Sequence, residues 1–145
     1  MKKDSVRFAY TGVEIKQFAM LDLVNDNSGA INMSASANVN YDDRAIGIGL
    51  NLQFISSDKP FLVIDTLSHF VIEEQCWNEL SNNKTEDVIL PKRFLEHLNA
   101  LAIGTTRGVL IGKTDGTEYN KYFLPLVDAT ELGCVDLVVK RNNNE

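Results

Sequence analysis

Residues 31 to 41 run Ile-Asn-Met-Ser-Ala-Ser-Ala-Asn-Val-Asn-Tyr, alternating apolar and polar without a break, and Ile46, Ile48, Leu50, Leu52 and Phe54 take up the alternation after a short turn. A period of two sends successive side chains to opposite faces of a strand. Ile31, Met33, Ala35, Ala37 and Val39 therefore share one face, and Asn32, Ser34, Ser36, Asn38 and Asn40 share the other. One face buried and one wet is the signature of an antiparallel sheet.

Punctuation extends this sheet in both directions. Val13 to Leu21 reads as a first strand, with Val13, Ile15 and Phe18 toward the core, closed by the turn residues Asn25-Asp26-Asn27-Ser28-Gly29. A second strand covers about 31–41, and Asp42-Asp43-Arg44 reverses it into a third over about 46–55. Ser56-Ser57-Asp58-Lys59-Pro60 reverses the chain again, into the apolar run Phe61-Leu62-Val63-Ile64 that opens a fourth strand. Such a run suits a strand covered on both faces. Gly47 and Gly49, on the polar side of the third strand, leave room for close approach of a neighbour.

Beyond the polar loop 81–86 the period changes to 3.6. Pro91 suits the first turn of a helix, and Leu90, Phe94, Leu98, Leu101 and Ala102 line one side of it. Gly104 or Gly108 is the expected stop. Val109–Thr114 and Thr117–Tyr122 flank Asp115-Gly116, a strong hairpin signal, which would set Lys113 opposite Glu118 and Gly112 opposite Tyr119. Val135, Leu137 and Val139 form a last alternating piece before a polar tail. The expected architecture is α+β: a four-stranded antiparallel meander, a long amphipathic helix packed on it, and an additional C-terminal hairpin. Residues 1–140 form a single domain and 141–145 a disordered tail.

Composition narrows the function classes. A chain of 145 residues is one domain and buries enough surface to fold without metal or disulfide. A net charge of −6 argues against a binder that works by neutralising phosphates, so no nucleic-acid partner is expected. No apolar run approaches the ~20 residues of a membrane span, and the charged start, Met-Lys-Lys-Asp, has no signal-peptide character. A cytoplasmic location is expected, with Cys76 and Cys134 as free thiols.

Catalytic constellations are thin. Gly112-Lys113-Thr114 lacks both the glycine spacing and the following helix of a phosphate loop. Two histidines leave little for a triad or a metal site; His69 with Asp65 and Cys76, or His97 with Cys134, can be assembled only on paper. No cofactor, metal or reaction is expected. The aromatic residues offer more: Trp77, with Phe54, Phe61, Phe70, Phe94 and Leu98, would line an apolar groove for extended polypeptide, although the same residues also suit a core.

The order of elements, a helix begun at Pro91 and carrying Thr106-Arg107-Gly108, and the later Leu124-Pro125 resemble the SecB-like family of bacterial export chaperones and their relatives. Pro91, Arg107, Gly108, Leu124 and Pro125 carry the likeness. On the residues alone, Arg107 complements the negative end of a helix dipole and Gly108 permits a left-handed stop. The resemblance implies a homodimer or homotetramer joined through sheet edges and helices, and ATP-independent binding of an unfolded polypeptide client in an apolar groove. It also raises the translocation motor SecA as a partner, but the tail here lacks the Cys- and His-containing zinc segment through which the export chaperone engages that motor. Two other readings are a scaffold module of the same fold that binds one folded partner, and a small-molecule binding protein.

Overall fold

The computed structural model describes residues 5–22, 29–82 and 84–141. The expected turn at 25–28 and the tail beyond 141 lie outside them. Four long strands, β1 (Phe8–Met20), β2 (Gly29–Asn40), β3 (Ala45–Ser56) and β4 (Lys59–Ile72), form one antiparallel sheet. A short helix α1 (Glu74–Glu79), a strand β5 (Val88–Leu90), the long helix α2 (Lys92–Thr114) and a strand β6 (Leu137–Val139) follow. The α+β class with a four-stranded sheet under one long helix is as the patterning predicts.

The register of β2 with β3 runs unbroken from Gly29↔Ser56 to Asn40↔Ala45. Its reversal is tied by Asn40 Oδ1, which accepts from the Asp43 N–H at 3.1 Å, and by Arg44 at φ 53°. The next reversal, between Ser56 and Lys59, places Ser57 and Asp58 at φ 52° and 64°. Two positive φ values suit the right-handed twist of the flanking strands. Gly47 and Gly49 serve the sheet itself: Leu67 Cδ1 lies 3.1 Å from where a side chain on Gly47 would begin, and Ser36 Oγ 2.7 Å from the same point on Gly49.

The spatial order is β1-β4-β3-β2. The meander holds for β2 through β4, but β1 takes the far edge of β4 instead of lying beside β2. It starts five residues earlier than the alternation suggests, at Phe8, because Phe8 and Val6 also reach the core. Two register shifts, at Tyr10/Gly12 and Ile15/Gln17, interrupt it. Val13 and Ile15 do face the helix side, opposite Ser68 and Thr66, yet remain about 40% exposed because no element among the described residues covers that edge.

The core is a single apolar layer between sheet and helix. Ile46, Ile48, Leu50, Leu52 and Phe54 of β3 and Leu62, Ile64, Phe70 and Ile72 of β4 are buried under Phe94, Leu95, Leu98, Ala102, Ile103 and Leu110 of α2. Cys76 and Trp77 plug one end from α1, and Arg7 locks the start of β1 to it through paired bonds to Glu73, Nε at 2.9 Å and Nη2 at 2.7 Å.

Three expectations change in α2. The helix passes Gly104 and Gly108 and ends only at Thr114, so 109–114 is not a strand and no hairpin forms at Asp115-Gly116. The buried stripe explains it: Phe94, Leu98, Ala102, Thr106, Leu110 and Thr114 recur every four residues straight through the glycines, which all point outward into open space. Each glycine costs about 1 kcal/mol of helix propensity, less than burying a leucine returns. Asp115-Gly116 keeps its turn chemistry but ends the helix, with Gly116 at φ 78°. The additional two-stranded pairing is made instead by β5 and β6, Val88↔Val139 to Leu90↔Leu137.

Pro91 is the residue before the first helical turn, its carbonyl accepting from Phe94 and Leu95. Arg107, in mid-helix, does not meet a helix end. Its Nε donates to the Leu124 carbonyl at 3.0 Å and its Nη2 to the Pro125 carbonyl at 2.9 Å, which holds the returning chain against α2 with Leu124 buried. Two outcomes follow. Gly108→Ala raises stability by about 0.5–1 kcal/mol in urea unfolding, because the helix continues and nothing opposes a methyl there; a glycine that ended the helix would give a loss. Arg107→Met lowers stability by about 1.5–3 kcal/mol in the same measurement, since two charge-assisted bonds go.

Candidate functional site

The inner row of β2 changes size along its length. Ile31, Met33 and Val39 are large, whereas Ala35 and Ala37 between them are small and exposed. Opposite these alanines the chain after the second 3₁₀ turn, Ala129–Leu132, passes back along the sheet. Gly133, at φ 75°, turns it so that Cys134, Val135 and Leu137 come alongside β2. The result is a recess of about 230 Å³ lined by Ala35, Ala37, Ile48, Leu95, Leu132 and Val135, among others. A second recess of about 230 Å³ adjoins it, sharing Ala37 and Leu137 and running on to Val39 and Lys140. Together they form a groove between β2, α2 and the C-terminal segment.

Among the described residues the first recess has no charged side chain in its lining, in a chain of net charge −6. Its polar side chains are the Asn99 amide and the Cys134 thiol, with Asn99 Nδ2 donating to Cys134 Sγ at 3.0 Å. Val135 is 70% exposed at the rim. Lys140, at the far end, is drawn aside to Asp87 Oδ2 at 3.4 Å. Another recess, about 590 Å³, lies between Phe8, the first turns of α2 and 127–130, but Arg93, Glu96, His97 and Asp128 give it both signs of charge. The groove beside β2 is the better receptor for apolar chain.

The six residues expected to line a groove sit elsewhere. Phe54, Phe61, Phe70, Trp77, Phe94 and Leu98 are all at most 6% exposed, within the core cluster. Phe54 and Phe61 pack with Tyr122, centroids 6.1 and 4.7 Å away, and Trp77 meets Tyr41 edge-on at 5.4 Å. They support the sheet and helix that bear the groove. Sequence reasoning passed over Ala35, Ala37, Leu132, Val135 and Leu137, whose one signal is small residues in an otherwise bulky inward row.

The paper triads are not assembled. His69 bonds to Glu14 across β1 and β4 at 2.6 Å, on the face away from the helix. Cys76 is buried beside the Arg7 N–H at 3.4 Å, and Cys134 meets Asn99 rather than His97. Among the described residues no three His, Cys, Asp or Glu side chains converge as metal ligands, and no helix is long and apolar enough to cross a membrane.

Several carboxylates are held below their ordinary range. The His69 hydrogen bond does this to Glu14, the Arg7 guanidinium to Glu73, and the Arg141 backbone N–H with Lys140 to Asp87. Glu73 and Asp87 thereby fasten the start of β1 and the end of β6.

No protein-family model matches the sequence, and no curated protein matches it. Solved structures do. The SecB-like chaperone Rv1957 of Mycobacterium tuberculosis, solved in complex with a ChAD peptide from the HigA1 antitoxin Rv1956, superposes with a TM-score of 0.54 at 6% identity, over 83% of this chain and 91% of that one. A protein of unknown function from Streptococcus agalactiae aligns at 14% identity over 85% of this chain and 98% of that one, with a TM-score of 0.42.

A carboxylate with a depressed folded pKa stabilises fully above its unfolded value and loses that contribution as pH falls through the folded one. The urea midpoint is therefore expected to fall as pH drops below the ordinary values of 4.5 for Glu73 and 3.8 for Asp87. Glu73→Gln, measured over the same range, gives a shallower acid slope.

Proposed function

We propose, from the SecB-like fold that this chain has, that the protein is an ATP-independent holder of unfolded polypeptide. The observation that carries this reading is the uncharged recess floored by Ala35 and Ala37. Apolar client side chains leave water there at about 25 cal/mol per Å², offset by the cost of ordering the client. Discrimination comes from unfolding itself, because a folded protein does not offer a run of free apolar side chains. No bond is made or broken, so no cofactor enters. The likeness to a chaperone solved with an antitoxin peptide supports a polypeptide as the partner.

Phe54, Phe61, Phe70, Trp77, Phe94 and Leu98 contribute from behind, by fixing the walls, while Ala35, Ala37, Val135 and Leu137 meet the client. The working compartment is the cytoplasm. The protein works as a homodimer or homotetramer, for which the helix-side face of β1 is suited: Tyr10, Val13, Ile15 and Met20 are 36–42% exposed there. A link to SecA finds no support in the tail, and a dedicated client fits as well as general export.

The test is capture of a chemically unfolded, aggregation-prone polypeptide, without nucleotide, against the same polypeptide folded. Selective capture of the unfolded form is expected, and Ala37→Glu weakens it by about tenfold, since a carboxylate must then be desolvated in an apolar groove. Gly108→Ala, on the outward face of α2, retains it. Equal indifference to several unrelated unfolded clients overturns the reading in favour of a scaffold for one folded partner.

A further inference from the structure

The charged recess between the start of β1, the first turns of α2 and residues 127–130 has no part in holding polypeptide. At about 590 Å³ it lies within the size range of small-ligand sites. Its apolar lining includes the buried Phe94 and Ala129 and the half-buried Val6, Phe8 and Val127. Charge enters from two walls: Arg93, Glu96 and His97 from α2, and Asp128 from the returning chain. Their hydrogen bonding within the molecule is incomplete. The Glu96 side chain is only 12% exposed, yet its buried Oε2 accepts no hydrogen bond, and Lys92 Nζ stands off at 3.8 Å. A buried carboxylate oxygen without a donor is costly, and such an atom in a recess points to a missing donor. Asp128 commits one oxygen, Oδ1, to the Thr130 N–H at 3.0 Å and hydroxyl at 2.6 Å, and among the described residues its other oxygen has no hydrogen bond. His97 meets Phe8 edge-on at 5.7 Å, and among the described residues neither ring nitrogen is hydrogen-bonded.

We propose that this recess binds a small zwitterion, a free α-amino acid with an apolar side chain. Glu96 and Asp128 take its ammonium, Arg93 and His97 take its carboxylate, and Phe8, Phe94 and Val127 receive its side chain. The two signs of charge select this class. An amine without a carboxylate leaves Arg93 and His97 unanswered, and an acid without an amine brings a third carboxylate beside Glu96 and Asp128. A purely apolar ligand desolvates all four groups with nothing in return. The Thr130 bonds hold the Asp128 carboxyl below its ordinary range, so it is ionised at neutral pH and ready for a cation.

The site and the uncharged recess beside β2 thus accept different things. An internal segment of aliphatic polypeptide carries neither an α-ammonium nor an α-carboxylate, so the charged recess refuses it. A bound amino acid would also touch β1, α2 and the 127–130 turn at once, so its binding energy adds to the stability of the folded chain.

The test is an amide chemical-shift titration of the full chain with L-leucine, with 3-methylbutylamine, which is leucine without its carboxylate, and with 4-methylpentanoate, which is leucine without its amine. Leucine is expected to bind at least tenfold more tightly than either, with shifts centred on residues 6–8, 93–100 and 127–130. Equal affinity for the three compounds, no saturation by leucine up to about 20 mM, or shifts centred instead on 35–37 and 132–137 overturns the proposal. Two variants assign the charges. In Glu96→Gln the preference for leucine over 4-methylpentanoate, which reports the ammonium, falls to within about threefold. In His97→Gln, at an exposed position that the core does not need, the preference over 3-methylbutylamine falls instead. Unchanged preferences in the folded His97→Gln variant overturn the assignment even where Glu96→Gln fails to fold.

Discussion

One contact surface carries the rest of this structure: the apolar stripe of α2 laid on the inward rows of β3 and β4. Ile46, Ile48, Leu50 and Leu52 are at most 1% exposed, as are Leu62, Ile64, Phe70 and Ile72, and Leu98, Ala102 and Leu110 close over them. Everything else is positioned by that layer. The 3.6 period of the helix sets which residues it can bury, and keeping Thr106 and Thr114 in the stripe is tolerable because each hydroxyl donates to the carbonyl four residues back, at 2.8 Å. Thr106 also meets Thr66 at 2.8 Å, so the polar residues within the layer satisfy one another.

The strands were legible because their period is strict and their turns are local. Asp42-Asp43-Arg44 falls where the apolar positions change from odd to even, Ser57-Asp58 sits between two even-numbered apolar rows, and the register follows from both turns. The last part of the helix was not legible in the same way. Val109-Leu110-Ile111 followed by Asp115-Gly116 has strong hairpin chemistry over a short window, and only Leu110 and Thr114, four and eight residues after Thr106, show the longer period that wins. Pairings distant in sequence were equally hidden: β1 with β4 and β5 with β6 are set by which apolar rows remain uncovered. The candidate site suffered from a related bias. Aromatic residues attract attention as binding groups, but their area is what a core of this size needs, whereas Ala35 and Ala37 matter through what they leave vacant.

Arg107 illustrates how one residue can carry a family likeness for a reason different from the one its position suggests. Near a presumed helix end it looks like a dipole partner. In mid-helix its planar fork instead reads two consecutive carbonyls, those of Leu124 and Pro125. Proline has no N–H and disfavours helix in the residue before it, so the chain there stays extended and its carbonyls point outward to be gripped. From that anchor the chain continues through Asp128 and Gly133 to the groove wall. The likeness therefore marks the device that brings the C-terminal segment back over the sheet.

Pairing of β1 with β4 also has a consequence in time. β2, β3 and β4 meet through short turns and can zip together as they emerge, but Phe8 must wait for Ile72, its partner across 64 residues of chain. At about 5–20 residues per second, synthesis leaves β1 without its mate for several seconds. During that interval an alternating apolar strand trails free, and the far edge of β4 stands bare until the two close. The nascent chain thus passes through a state in which the apolar side chains of β1 and the edge of β4 that will receive them are both open to water.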